Sequence, residues 1–193
     1  MRISTILDYA GDPSEAVEDV KAYEAAGLDL VWVAEAWTFD AVSLLGYLAA
    51  STSRVQLGSG IFNIYSRTPA LLAMTAAGLD SLSNGRFNLG IGASGPQVVE
   101  GWHGVAYDAP VGRTDEVIDI CRKVWRREEL SHDGKHYQLP LAGGLGLGKS
   151  LKLINRPLRA DIPIYNAALG PRNVTLTAEK AEGWIPVFFY PEK

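Results

Sequence analysis

Residues 12–35, DPSEAVEDVKAYEAAGLDLVWVAE, contain the start of a helix, its end and the strand that follows it. Asp12 is placed to cap the helix, with Pro13 at the first helical position and Glu15 three residues after the cap. Gly27 is expected to end the helix, because glycine adopts the left-handed conformation found there. LDLVWVAE is a nearly continuous apolar run, which is typical of a parallel strand covered on both faces. The stretch therefore predicts one helix–strand unit of an α/β protein.

The same alternation extends in both directions along the chain. RISTILDY precedes the unit as a first strand, and VQLGSGIFNI, RFNLGIGAS, IPIYNAALG and WIPVFFY follow it as further strands. The helices between them include one capped by Asp40 and one that begins at Thr68 and ends near Gly85. Strand–helix alternation predicts parallel βα units, either in an open doubly wound sheet or in a (β/α)8 barrel. The first strand lacks G-x-G-x-x-G, and several strands end in polar or glycine-rich segments, which favours the α/β TIM-barrel type.

Composition and charge exclude several classes of function. The chain has 193 residues and a formal net charge of −4, so neither nucleic acid nor a membrane surface is favoured as a partner. Apolar runs fall short of the roughly 20 residues of a membrane span, and we expect no secretory signal. Cys121 is the single cysteine, which excludes an internal disulfide and suits a cytoplasmic protein. His132 and His136 have no carboxylate or cysteine set at metal-ligand spacing, so we expect no metal.

GGLGLGKS, residues 143–150, matches the G-x-x-x-x-G-K-S pattern of a nucleotide-binding phosphate loop. Such a loop requires a buried apolar strand before it and a helix after it. Upstream, HYQLPLA is short and interrupted by Pro140, and downstream LKLINR is cut short by Pro157. We therefore interpret the match as a flexible turn within a hairpin-and-loop insertion at residues 130–160, in which Asp133–Gly134 predicts a β-turn.

Three longer segments carry a more specific signal. They are VWVAEAWTFDAVSLLGYLAA, NLGIGASGPQVVEGWHGVAYDAP and AALGPRNVTLTAEKAEGW. In this order they closely resemble the bacterial-luciferase-like family, and within it the branch of coenzyme F420-dependent oxidoreductases. The resemblance covers nearly the whole chain and treats residues 1–193 as a single domain. It implies a (β/α)8 barrel with the cofactor bound across the carboxyl ends of the strands.

The resemblance also implies a set of cofactor-binding residues. Gly60 and Ile61 fall where relatives have a bulge with a non-proline cis peptide behind the flavin-like ring; the alternative is a glycine bulge without a cis bond. Ala36 and Glu35 should lie beside the polar edge of the ring. Two further segments would contact the cofactor tail: Ser94, Gly95, Pro96, Gln97, Val98 and Val99 in the first, and Ala168, Leu169, Gly170, Pro171, Arg172 and Asn173 in the second. The second segment is either an anion site or an ordinary helix start.

Several side chains are candidates for catalysis or for a substrate pocket. Glu35 is a candidate catalytic residue, or else a buried carboxylate paired within the barrel. His103 in EGWHG is a candidate proton donor near neutral pH, or else a structural or exposed loop residue. The aromatic residues that can line a pocket, or equally pack in the core, are Trp37, Phe39, Tyr65 and Trp102.

Three hypotheses for function remain open. The preferred one is hydride transfer between C5 of coenzyme F420 and an unidentified small organic molecule, in a homodimer. The second is an FMN-dependent luciferase-like monooxygenase, because both activities share this barrel. The third is a non-catalytic fragment, since a complete barrel usually needs about 250 residues and two strand–helix units are missing from our count. The first and sixth strands would then be open edges.

Overall fold

The computed structural model of the chain describes residues 1–187. Its strands are β1 (Ser4–Ile6), β2 (Leu30–Val33), β3 (Gln56–Ser59), β4 (Phe62–Asn63), β5 (Phe87–Gly92), β6 (His132–Asp133), β7 (Gln138–Leu139), β8 (Ile164–Ala167) and β9 (Gly183–Trp184). Its helices are α1 (Pro13–Ala25), α2 (Ala41–Ser51), α3 (Pro69–Leu82), α4 (Pro96–Gly101), α5 (Pro110–Trp125) and α6 (Pro171–Lys180). None of the helices in residues 1–187 is long and apolar enough to cross a membrane.

The main sheet is parallel, with the strand order β1-β2-β3-β5-β8-β9 and with the short β4 paired to β5. We call β1, β2, β3, β5, β8 and β9 the wall strands. Each wall strand is the neighbour, in the sheet, of the wall strand that precedes it in the chain. The prediction of parallel βα units of the TIM-barrel type is confirmed. Within residues 1–187, β1 and β9 are the two ends of this order, so the described wall is part of a barrel.

One face of the sheet packs against the helices, and two aromatic rings meet on the other. Val31 and Leu57 belong to the helix-facing core and are at most 1% exposed. On the opposite face, Trp32 meets Tyr165 edge to face, with ring centroids 5.1 Å apart. Trp32 lies opposite Gly58 in the neighbouring strand, where an added Cβ would overlap the indole ring. Because Gly58 has no side chain, the Trp32 ring can pack directly over the backbone of β3.

The helix boundaries follow the local sequence signals. The side chain of Asp12 accepts a hydrogen bond from the Ser14 backbone N–H at 2.7 Å, and α1 begins at Pro13, directly after this cap. Asp40 and Thr68 cap α2 and α3 in the same manner. Gly27 follows α1 with a φ of 94°, in the left-handed region that glycine tolerates. The predicted caps are therefore confirmed.

Three predicted boundaries are wrong. Residues 96–101, for which no helix was predicted, form the short helix α4. The predicted third strand is interrupted at Gly60–Ile61, so that β3 and β4 are separate. The sixth wall strand begins at Gly183 and ends at Trp184, whereas WIPVFFY was the predicted extent. Residues 188–190 of that prediction lie outside the described residues.

The segment around residues 130–160 contains the antiparallel hairpin β6–β7, and Gly134 N–H closes its turn on the Tyr137 carbonyl at 3.0 Å. Glu116 of α5 anchors this hairpin by accepting hydrogen bonds from Tyr137 N–H at 2.9 Å and from His132 Nε2 at 3.1 Å. Residues 143–150 lie in turns, and the element after β7 is strand β8, not a helix. The rejection of a phosphate loop is confirmed. Residues 1–187 hold no group of three or more His, Cys, Asp or Glu arranged for a metal ion.

Candidate functional site

The carboxyl ends of the wall strands open into one cleft with a volume of about 1240 Å³. Segments that follow β1, β2, β3, β5 and β8 all contribute to its lining, which is the arrangement expected of a barrel enzyme. The predicted site residues that line it are Glu35, Ala36, Gly60, Ile61, Ser94, Val98, Leu169, Gly170, Pro171 and Arg172. The fold thus brings together side chains from four different strand ends.

Glu35, at the end of β2, is held in the cleft wall by an ion pair. Both of its carboxylate oxygens accept hydrogen bonds from Arg67, the Nη2–Oε2 distance being 2.7 Å. Its Oε2 also accepts the Ala41 backbone N–H at the start of α2, at 2.9 Å. The side chains of Glu35 and Arg67 are 11% and 13% exposed. The paired, buried carboxylate is therefore present, and the catalytic role of Glu35 stays a prediction.

The wall after β3 is formed by Gly60 and Ile61. The peptide bond between them is cis, which confirms that part of the prediction. Immediately before them, the Ser59 hydroxyl donates to the Gly90 carbonyl at 2.8 Å and accepts from the Gly90 N–H at 2.9 Å. A Cβ on Gly92 would lie 3.1 Å from Ile61 Cδ1, so the bare glycine lets the Ile61 side chain lie against β5. This wall is tightly fixed to the neighbouring strand.

The segment after β5 places only some of its predicted cofactor-binding residues in the cleft. Ser94 has a left-handed φ of 56°, and α4 begins two residues later. Because residues 96–101 are helical, their side chains point in different directions. Val98 lines the cleft, whereas Val99 is buried in the core and Gln97 is exposed. Gly95 also lies outside the cleft lining as the structure describes it.

The segment after β8 presents a helix start to the cleft. Gly170 precedes α6 without a side-chain cap, and Arg172 is exposed in the first turn. Asn166 of β8 fixes this end of the helix, since its Nδ2 donates to Asn173 Oδ1 at 3.0 Å and to Thr177 Oγ1 at 2.8 Å. The positive end of the helix dipole and a guanidinium in the first turn favour an anion. The predicted residue Ala168 is instead 2% exposed and does not line the cleft.

The remaining candidates are distributed around the cleft. Trp37 lines it and is 64% exposed, while Phe39 lines an adjoining hollow of about 420 Å³. Tyr65 donates its hydroxyl hydrogen to the Asp108 carbonyl at 2.6 Å, and burial raises its pKa to about 12. His103 is half-buried just after α4, and Trp102 is exposed; neither lines the cleft as described.

Sequence reasoning missed several lining residues. Tyr9 and Ala10 follow β1, and Tyr107, Pro110 and Val111 come from the entry to α5. The signal for Tyr9 was available, since it follows a predicted strand and a barrel site uses every strand end. Tyr107 carries no such signal, because it follows no predicted strand; its backbone N–H donates to Glu100 Oε1 at 3.1 Å.

The amino-acid sequence matches a known protein family. The sequence profile of the family described as luciferase-like monooxygenase matches residues 1–193. The chain belongs to the luciferase-like monooxygenase family. The resemblance inferred from the sequence is therefore confirmed for the family.

Named relatives of this luciferase-like chain include an oxidoreductase associated with coenzyme F420 and a reductase. A protein of Mycobacterium tuberculosis, named for coenzyme F420-dependent oxidoreduction, is 50% identical over 196 residues, covering 99% of this chain and 56% of its own length. The 5,10-methylenetetrahydromethanopterin reductase of Archaeoglobus fulgidus is 32% identical over 165 residues, 85% of this chain and 46% of its own. The luciferase-like chain thus spans about half the length of these curated relatives.

A solved structure supports the fold assignment. The coenzyme F420-dependent tetrahydromethanopterin reductase of Methanopyrus kandleri superposes on the luciferase-like chain with a TM-score of 0.83 and 23% identity. The match covers 96% of this chain and 55% of the reductase chain. At 23% identity this similarity shows a shared fold only, and the reaction of the reductase is not transferred to the chain.

Proposed function

We propose that the chain is a coenzyme F420-dependent oxidoreductase that transfers a hydride between the deazaflavin and a small organic molecule. The observation that carries the proposal is the cleft at the carboxyl ends of the strands, with Gly60–Ile61 on one wall and Arg172 at another. The name of the Mycobacterium tuberculosis relative, which is 50% identical, supports the choice of cofactor.

The residues of the cleft fit such a cofactor. Ile61, Ala93 and Val98 offer apolar surfaces, which suit a flat aromatic ring. An added Cβ at Gly170 would meet no atom within 4 Å, so the start of α6 is open to a bulky group. With Arg172 beside it, this end suits a phosphate or carboxylate. The ring would therefore lie against Ile61 and the anionic tail towards α6.

When bound, F420 supplies the reaction's hydride chemistry at C5 of its ring, and the protein supplies binding and orientation. Glu35 and Ala36 are proposed to face the polar edge of the ring, where the fixed Glu35 carboxylate can accept an N–H. Trp37 and Tyr107 lie in the cleft lining and would exclude water once a substrate fills it. Proton donation by His103 stays a prediction, since a loop movement would have to bring it to the cleft.

Separate titrations with F420 and with FMN test the proposal, because both cofactors are fluorescent and their binding can be followed directly. We expect F420 to bind more tightly than FMN. Tighter binding of FMN together with oxygen consumption would establish the monooxygenase alternative. Failure of both cofactors to bind would favour the non-catalytic fragment, and a folded control spectrum would separate that result from misfolding.

We also propose that the protein acts as a homodimer in the cytoplasm. Exposed apolar side chains on α3 support an association, among them Met74 at 52% and Leu82 at 67%. A single buried free thiol, Cys121, suits a reducing compartment. Sedimentation equilibrium of the purified chain tests the dimer, and a monomer at micromolar concentration would refute it.

A further inference from the structure

A buried ion pair stands where two walls of the cleft separate. The β2–β3 ladder ends at the pair Val33–Ser59, followed by one more hydrogen bond from Gly60 N–H to the Val33 carbonyl at 2.8 Å. Beyond this point the chain after β2 turns towards α2, and the chain after β3 continues into β4. Glu35 and Arg67 connect the two segments past the end of the ladder.

Arg67 contacts both walls at once. Its two terminal nitrogens donate to the two Glu35 oxygens in a forked arrangement, which fixes direction as well as distance. Its guanidinium carbon lies 4.5 Å from the centre of the Phe62 ring, in the strand that directly follows Gly60–Ile61. The Glu35 oxygen that also accepts from Ala41 N–H extends the connection to the start of α2. The ion pair as a whole therefore joins three segments.

The charge of Arg67 also acts on the helix cap. Burial opposes ionisation of Asp40, but hydrogen bonds from Ser43 and the nearby charge of Arg67 together lower the pKa of Asp40 below its usual value. Asp40 in turn accepts from Ser43 N–H at 3.0 Å and begins α2. The cap and the ion pair thus support the same turn between β2 and α2.

Buried ion pairs contribute little to stability, because the cost of removing two charges from water offsets their attraction. A fixed geometry is what the forked pair does supply. Glu35, Gly60 and Ile61 all line the cleft, and the pair sets their mutual position. We propose that Arg67 is a positioning residue that holds Glu35 and the Gly60–Phe62 segment in the arrangement that receives the ring of the cofactor. This inference rests on the proposed function of the cleft.

A double-mutant cycle tests the proposal by fluorescence titration of F420 against the wild type and the variants Arg67→Met, Glu35→Gln and E35Q/R67M. Arg67→Met should weaken F420 binding about tenfold, because it leaves the Glu35 carboxylate buried without its partner and releases the Gly60–Phe62 segment. Glu35→Gln should weaken it less, because no uncompensated carboxylate then faces the cleft. The double variant should bind no more weakly than Arg67→Met. Arg67→Lys, which keeps the charge without the fork, should recover only part of the affinity.

Arg122→Met is the matched control. Arg122 makes a more exposed ion pair with Glu182 at 2.8 Å and donates to the Lys180 carbonyl, and these contacts join α5 to the end of α6, away from the cleft. The control should leave the dissociation constant of F420 within about twofold of the wild type. Equal loss of F420 affinity in Arg67→Met and Arg122→Met, or additive losses in the cycle, would overturn the positioning role.

A cofactor-free measurement separates this inference from the proposed function. Amide hydrogen exchange in the ligand-free chain should be faster in Arg67→Met at residues 35–41 and 60–66, and unchanged there in Arg122→Met. If the wild type binds no F420 but the exchange changes as expected, the cofactor assignment fails and the positioning role stands. Unchanged exchange in both segments of Arg67→Met would refute the positioning role whatever the cofactor.

Discussion

Replacement of Gly90 by alanine tests whether β3 and β5 are neighbours as closely as the structure shows. An added Cβ at Gly90 would overlap the Ser59 backbone oxygen and lie 2.9 Å from the Ser59 carbonyl carbon. Because these are backbone atoms, no rotamer change can relieve the overlap, and the strands must separate. Separation would also break the two hydrogen bonds between the Ser59 hydroxyl and Gly90. Overpacking costs about 1–3 kcal/mol and each hydrogen bond about 1 kcal/mol, so we expect about 3–5 kcal/mol of destabilisation.

Urea unfolding followed by circular dichroism measures this loss as a shift of the transition midpoint. Gly78→Ala is the matched control, since it lies in α3 and an added Cβ there meets no atom within 4 Å. Alanine is favoured over glycine within a helix by about 1 kcal/mol, so the control should be as stable as the wild type or more stable. A Gly90→Ala variant within about 1 kcal/mol of the wild type would refute the assigned β3–β5 contact.

Three further predictions address the cleft, the core and the hairpin. Arg172→Ala should weaken F420 binding about tenfold, because a charge-assisted contact to the cofactor tail is lost. Arg126→Ala is the control and should leave binding unchanged, because Arg126 belongs to an exposed ion pair outside the cleft lining. Equal losses of affinity in the two variants would contradict the tail site. Burial raises the pKa of Cys121 to about 12, so a thiol reagent should label it only in the unfolded protein, and rapid native labelling would refute that burial. Burial opposes ionisation of Glu116, but hydrogen bonds from Tyr137 and neighbouring groups lower its pKa below 4.5. The ionised Glu116 therefore adds to the free energy of unfolding above pH 4.5, and this contribution is lost as the pH falls through the lower pKa of the folded state. Glu116→Gln should remove this acid dependence, as measured by urea unfolding at several pH values.

The sequence predicts the elements whose signals are local. Asp40 and Thr68 cap helices by bonding to backbone groups three residues away, so the pattern and the contact lie in the same short window. Helix α4 lacks such a signal, because it has six residues and its cap, Gly95, has no side chain. Its burial of Val99 against the rest of the molecule is a tertiary contact, which no local pattern reports.

The same distinction applies to the cleft. Gly60 and Ile61 could be found by resemblance, since the segment around them has a recognisable pattern. Arg67 could not, because its position directly before the Thr68 cap suggests only a helix start, and its partner Glu35 is 32 residues away. The alternative of a paired carboxylate for Glu35 was foreseeable, but the identity of its partner required the fold. Contacts between residues so far apart in the sequence form only because β2 and β3 are neighbours in the sheet.

The pairing of Glu35 has a consequence for the charge of the whole cleft. Glu35 is neutralised by Arg67 at the β2 end, while Arg172 and the start of α6 lie at the β8 end, with β3 and β5 between these strands. Neighbouring strands are about 4.8 Å apart, so the two ends are roughly 14 Å apart when followed along the curved wall. The positive field of the lining then comes from the α6 end, and a ligand with an anionic tail is oriented one way round. Without Arg67, the bare Glu35 carboxylate would oppose binding of the same anionic ligand. This is why removing the arginine should be more damaging than removing the charge of its partner.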